Sequence, residues 1–186
     1  MLFFKPSPDC KSGWAAKWLD RSASERPYQP IRLTREIMLT NKGKYGLKAL
    51  LHLANHEGDG SVSISDIAEI NNIPKKFLDT ILLELKNAGM LYSKKGKGGG
   101  YWLAKPADKI MLSTVIRVLD GPLAPIACAS RTAYRPCPDC DDVAGCEIRA
   151  LMQEVRDAMA KVLDGTSLAD LRNRSAAARV TLLYDI

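Results

Sequence analysis

IPKKFLDTILLELKNAGMLYSKKGKGGGYWLA, residues 73–104, is the stretch that decides how this chain folds. Its second half, Lys94 to Trp102, holds three lysines, four glycines and two aromatics in nine residues. Glycine supplies the positive φ that a tight reversal needs, so this is the tip of a β-hairpin, and the lysines make it a cation. Its first half, Pro74 to Ala88, spaces Phe77, Leu78, Ile81, Leu82 and Leu85 as one face of an amphipathic helix. Pro74 suits the first turn and Gly89 the C-cap. A helix followed at once by a basic glycine hairpin is the layout of a winged helix-turn-helix, in which one element enters a DNA groove and the other lies along the backbone. A nucleotide-binding P-loop is excluded: Gly96-Lys-Gly-Gly-Gly has the wrong glycine spacing and runs into a strand, not a helix.

Working outward, residues 90–93 and 101–104 read as the two wing strands. Upstream, Thr40 to His56 is a helix with Thr40 or Asn41 as cap and Lys42, Lys44 and Lys48 on its polar side. His52 and His56 are spaced i, i+4, and without a third ligand nearby they read as a packed or surface pair. Ser61 to Ser63 suggests a short strand, and Ser65 the cap of a helix from Asp66 to Asn71 with Ile67, Ala68 and Ile70 inward. Asn71 to Pro74 makes the turn before the recognition helix. Downstream, Ser113 is expected to cap a helix ending at Leu119, and Asp120-Gly-Pro stops it. A helix from about Val143 to Leu163 follows, with Ile148, Leu151, Met152, Val155, Met159 and Val162 close to a three-four repeat. Ser167 to Arg172 reads as a short closing helix.

Length and charge narrow the function. The 186 residues are 46% hydrophobic, enough for a packed core. No apolar run approaches the ~20 residues of a membrane span, so the reading is a cytoplasmic protein with no membrane partner. Net charge is +6; residues 38–105 hold ten Lys/Arg against six Asp/Glu, and residues 106–186 ten against eleven. The excess sits on the half that carries the hairpin, as expected of a DNA-binding surface.

Of five cysteines, Cys128, Cys137, Cys140 and Cys146 fall within nineteen residues and Cys10 stands apart. Clustered thiols in a cytoplasmic chain point to metal, cluster or redox chemistry, and four are enough for an iron–sulfur cluster or for zinc. A second CxxC is absent, so a zinc ribbon is not specified. Cys137-Pro-Asp-Cys140 alone would also suit a dithiol oxidoreductase, but the βαβ context of such enzymes is missing and both histidines lie far away in sequence. The chain therefore reads as a binding protein and not an enzyme.

Residues 38–50 (MLTNKGKYGLKAL), Ile64-Ser-Asp-Ile-Ala-Glu, Ile73-Pro, Phe77-Leu, Leu85-Lys-Asn-Ala-Gly and Gly98-Gly-Gly-Tyr, in that order, resemble the Rrf2 family of bacterial transcription regulators. The resemblance covers about Met38 to Arg172. It implies a mainly α fold with a small β-wing, and a homodimer formed through a long helix at 147–163. It also implies operator binding on duplex DNA and sensing of redox state, iron or nitric oxide. Together with the layout above, it assigns DNA contact to Lys42, Lys44, Ser65, Lys75, Lys76, Phe77, Asp79 and Thr80, and to Lys94, Lys95, Lys97, Gly98, Gly99 and Tyr101 in the wing. Cluster-bearing members place three cysteines just before the dimer helix and recruit one non-cysteine ligand. Cys128, Cys140 and Cys146 resemble those three. Cys137 is extra, open between a fourth ligand and a regulatory disulfide with Cys128 or Cys140. The position equivalent to the acidic ligand of some nitric oxide sensors is Lys44, which cannot ligate while protonated. The cofactor implied is a 2Fe-2S or 4Fe-4S cluster, with zinc or none as alternatives.

The resulting organisation has residues 1–37 as a disordered extension or a misassigned start and 38–122 as the winged helix domain. Residues 123–146 form the cysteine loop, 147–172 the dimer helix with its closing helix, and 173–186 a tail.

Overall fold

A computed structural model describes residues 39–137, 140 and 142–174, and the expected extension at 1–37 and all but the first two residues of the tail lie outside them. The elements are α1 (Asn41–Asn55), α2 (Ile64–Asn71), α3 (Lys75–Asn87), β1 (Leu91–Lys94), β2 (Gly100–Leu103), α4 (Leu112–Leu119) and α5 (Glu147–Asp164). Single 3-10 turns sit at Ala107–Lys109 and Ala127–Ala129, and residues 168–174 are helical. The fold is mainly helical with one small sheet, as the sequence predicts.

Thr40 caps α1, its hydroxyl accepting from the N–H groups of Lys42 at 3.1 Å and Gly43 at 3.3 Å. Thr40 also donates its own N–H (3.0 Å) and hydroxyl (2.5 Å) to the Asp120 carboxylate. A charge from the end of α4 thus sits at the positive end of α1, where the helix dipole stabilises it. Gly46 lets the two helices approach, since a Cβ there would collide with the Leu119 side chain. Ser63, not Ser65, caps α2: Ser63 is extended (φ −68°, ψ 146°) and its hydroxyl accepts from Asp66 N–H at 3.2 Å. Asn72, in the left-handed region at φ 52°, ends α2 and turns the chain into α3.

β1 and β2 pair antiparallel from Leu91↔Leu103 to Lys94↔Gly100. The strand expected at 61–63 reduces to one bridge, Val62↔Tyr101, made by N–H···O bonds of 3.0 and 2.8 Å. It ties the segment before α2 to the wing. Gly100 is required there because a Cβ would strike the Val62 backbone.

Leu50, Ile67, Leu78, Ile81, Leu82, Leu85, Leu91, Val115 and Leu168 are fully buried in one core. Burying each leucine stabilises by about 1.5–3 kcal/mol. Leu168 belongs to the segment after α5, and its N–H donates to Ile110 O at 2.8 Å, so the chain returns from α5 to the core of the winged helix. Three expectations need correction. Ile70 is 68% exposed, on the outer face of α2. Ser113 is buried inside α4, where Met111 holds the N-cap without a side-chain bond. α5 begins at Glu147 rather than Val143, because Asp142 accepts from Ala144 and Gly145 N–H (2.8 and 3.1 Å) and makes a turn first.

Candidate functional site

Two sites emerge. The first is cationic and lies on α2, α3 and the wing. Lys75, Lys76, Asp79 and Thr80 are exposed on the first turns of α3, whose N-cap Pro74 offers no side-chain bond. Lys75 Nζ donates to Ser65 Oγ at 2.9 Å, so Ser65 bridges the two helices of the helix-turn-helix. Phe77, which periodicity puts on the apolar face of α3 and the resemblance assigns to DNA contact, is 41% exposed and stands edge-on to Tyr45 with ring centroids 5.9 Å apart.

In the wing, Lys94, Lys95 and Lys97 are exposed and have no carboxylate partner among the described residues. Gly96 (φ 98°) and Gly98 (φ 72°) make the reversal, closed by Gly99 N–H to Gly96 O at 2.9 Å. Ser61 Oγ donates to Gly98 O at 2.9 Å and fastens the tip. Tyr101 stands near Asp79: burial first, and then that carboxylate, push its phenol above the ordinary value. The structure thus brings the start of α3 and the wing strands to one side, through Asp79 and Tyr101. Lys44 is exposed on α1, whereas Lys42 is engaged with Glu84 of α3 at 2.6 Å.

The second site is the cysteine loop. Cys128 is buried in its 3-10 turn, Cys137, Cys140 and Cys146 are half-buried, and all four are thiols rather than disulfides. They line one small pocket with Val143 and Arg149. Cys137 is hydrogen-bonded with Cys128 and Cys140; the bond with Cys128 first, then loss of solvent, push its thiol up to about 12. Cys146 is the N-cap of α5, its Sγ accepting from Arg149 N–H at 3.4 Å. Among the described residues no three His, Cys, Asp or Glu side chains are preset to hold a metal ion. The chemistry of the donors nonetheless fits: four soft sulfurs line one pocket.

Sequence reasoning missed the arginines of α5. Arg149 Nε donates to Cys128 O at 3.0 Å, and its guanidinium lies 6.0 Å from the Tyr134 ring centre. Arg156, only 8% exposed, donates to Ala129 O and pairs with Asp157, which also binds Arg131 at 3.1 Å. Their seven-residue spacing, which puts both on one helix face, was the available signal. Ile148 (67% exposed), Leu151 (55%), Val155 (38%) and Val162 (60%) lie open on α5, and with exposed Ala158 they form an unbroken three-four seam. The rings of His52 and His56 lie 4.8 Å apart, tilted by 45°; His52 is buried with Nε2 unpartnered, and His56 bonds Asp59 at 3.3 Å. Among the described residues no helix is long and apolar enough to cross a membrane.

Comparison with known proteins gives the same reading. Residues 39–174 match the family described as Rrf2, iron-dependent transcriptional regulator. An rrf2-like HTH-type regulator of Rhodobacter capsulatus is 42% identical over 137 residues, 72% of this chain and 91% of that protein. Among solved structures, CymR, described as the global cysteine regulator of B. subtilis, superposes with a TM-score of 0.61 at 34% identity, covering 73% of this chain and 96% of CymR. IscR of T. potens superposes at 0.60 with 28% identity, covering 75% and 89%. The match spans all the described helices, the wing and the cysteine loop: this chain belongs to the Rrf2 family, and it is a DNA-binding transcriptional regulator, not an enzyme.

Proposed function

We propose that the chain works as a homodimer, reads duplex operator DNA with the start of α3 and the basic wing, and adjusts that binding through its cysteine loop in response to redox state, iron or nitric oxide. The observation that carries the reading is that four thiols share one pocket at the N-terminus of α5, while the exposed seam of that helix offers a second copy the surface it needs. The family's description as iron-dependent and the likeness to IscR and CymR favour it. In the dimer, two α3 helices address half-sites about one DNA turn, ~34 Å, apart. A small change in the angle of α5 alters that separation and weakens binding to both half-sites together.

Cys128, Cys137, Cys140 and Cys146 are the residues that would hold an iron–sulfur cluster, with zinc as the alternative metal. A bound cluster supplies iron that changes oxidation state or is lost under oxidant or nitric oxide. The chain's own part is to keep the four sulfurs in one pocket at the start of α5.

A second reading has its own support, since Cys137 is hydrogen-bonded with two other thiols. In a thiol switch, peroxide takes two electrons and two protons from Cys137 and either Cys128 or Cys140, forming one S–S bond and two waters. The deciding experiment is the visible spectrum of anaerobically purified protein, with iron, sulfide and zinc assayed on the same sample. Charge-transfer bands with stoichiometric iron and sulfide establish the cluster. Colourless, zinc-free protein that still binds DNA, and loses two titratable thiols after peroxide, establishes the switch.

A further inference from the structure

The cysteine loop and α5 meet through arginine side chains, and the two arginines have different surroundings. Arg156 is buried, makes no hydrogen bond to a cysteine among the described residues, and holds Ala129 O with its charge balanced by Asp157. Arg149 touches cysteine residues at both ends of the loop. Its side chain holds the Cys128 carbonyl at 3.0 Å, and its backbone N–H points at Cys146 Sγ at 3.4 Å. It also lines the pocket shared by all four sulfurs and packs by Tyr134.

Any chemistry that draws sulfurs together must move Cys128 or Cys146. Sulfur engaged in a bond to metal or to another sulfur is also a different acceptor for the Arg149 N–H. Both changes arrive at one residue in the first turn of α5, one position after Ile148 of the exposed seam. Arg156, seven residues on, is held instead by Ala129 O and Asp157.

We propose that Arg149 is the positioning residue that converts the chemical state of the cysteine site into a movement of α5, and so into a change in DNA affinity. The proposal rests on the sensing reading above. It assigns to Arg149 neither the binding of the sensed agent nor contact with DNA.

The test uses the full chain and three proteins: unaltered, Arg149→Met and Arg149→Lys. Met keeps an apolar stem beside Tyr134 and removes the donor, whereas Lys keeps one donor. Each is prepared anaerobically with iron and sulfide supplied, and again after chelator and peroxide. Iron, sulfide and free thiols are counted in both states, and affinity for a duplex is measured by fluorescence anisotropy. Couplings between sites commonly change affinity by about 5–150-fold, and the unaltered protein should show a ratio in that span between its two states.

Arg149→Met should match it in iron and thiol counts yet show a ratio near one, with Arg149→Lys in between. A Met variant that keeps the full ratio overturns the proposal. A ratio of one in the unaltered protein overturns the sensing reading and this proposal with it, and that failure is recognised without any variant. Should Arg149→Met lose its cooperative melt, hydrogen exchange in the unaltered protein decides: amides of residues 147–153 must change protection between the two states, and unchanged protection overturns the proposal.

Discussion

Replacing Lys94 and Lys97 by alanine tests the wing. Both are exposed on the hairpin and have no carboxylate partner among the described residues, so the change removes charge without uncovering a buried anion. Lys94 pairs with Gly100 through the backbone, and alanine keeps that pairing. In the proposed dimer the double substitution removes four cations from the DNA face. Each phosphate neutralised contributes about 0.9 to the slope of log affinity against log salt, so the slope should flatten by ~3.6. Between 50 and 200 mM salt, a slope change of that size alters the affinity ratio of parent to variant by about 10²-fold. The difference should therefore be large at low salt and shrink as salt rises. Anisotropy titrations at four salt concentrations, on an operator duplex and a scrambled one, measure it. Both duplexes should lose affinity alike, because phosphate contacts carry no sequence information. Parallel salt plots for parent and variant would refute the placement of the wing against the backbone, whatever the absolute affinities.

Other consequences are open to direct measurement. Leu151→Glu with Val155→Glu places charges on the exposed seam of α5, and sedimentation should show monomers with a native melting profile; a persistent dimer would remove that helix from the interface. His52 lies below its ordinary value of 6.5, chiefly because it is buried and then because of His56, with Asp66 opposing. The unfolded chain then binds a proton near pH 6.5 that the folded chain refuses, so stability present above 6.5 falls as pH drops below it, and His52→Gln should flatten that part of the melting-temperature profile. Gly100→Ala drives a Cβ into the Val62 backbone and should destabilise by about 1–3 kcal/mol, read from denaturant midpoints, with Lys95→Ala at an exposed position of the same hairpin as the neighbouring control.

What the sequence revealed was local punctuation. Pro74, Gly89, Gly96 and Gly98 each act within a turn of themselves, so the helix and hairpin they bound are legible without knowing what surrounds them. Ser63 and Ser65 were not separable this way, since both are good caps two residues apart; extended backbone at Ser63 decided the matter, and Ser65 was left to accept from Lys75. Ile70 and Phe77 are apolar residues that tertiary packing leaves outside, and periodicity alone assigned them inward. The Val62 bridge and the Asp120 cap join segments 39 and 80 residues apart, which no window along the chain contains. Arg149 and Arg156 went unassigned: their seven-residue spacing puts both on one helix face but does not reveal the backbone carbonyls opposite them. The cysteines announced a site, but its connection to the helix was written in residues of unremarkable type.

That connection is the one the proposed sensing would use. The 18 residues of α5 make a rod of about 27 Å, and the described residues hold it near both ends. At its start Arg149 bonds Cys128 O, at its middle Arg156 bonds Ala129 O, and at its finish Arg117 of α4 pairs with Asp164 at 2.9 Å. Leu168 then enters the core that also contains Leu78, Ile81 and Leu85 of α3. The far end of the rod is therefore fixed to the body that carries α3, while the near end adjoins the four thiols. A rod pinned at one end and shifted at the other must tilt, and in a dimer built on its exposed seam a tilt changes the separation of the two α3 helices. Breaking the Arg117–Asp164 pair tests that pin. Arg117→Ala should cost little stability, since exposed pairs contribute about 0.2–1 kcal/mol. It should nevertheless narrow the difference in DNA affinity between the two states of the cysteine site, measured by the same anisotropy titrations. A full, unaltered difference would mean that α5 is anchored through the segment that follows it, where Thr166 O accepts from Leu112 N–H and Leu168 is buried.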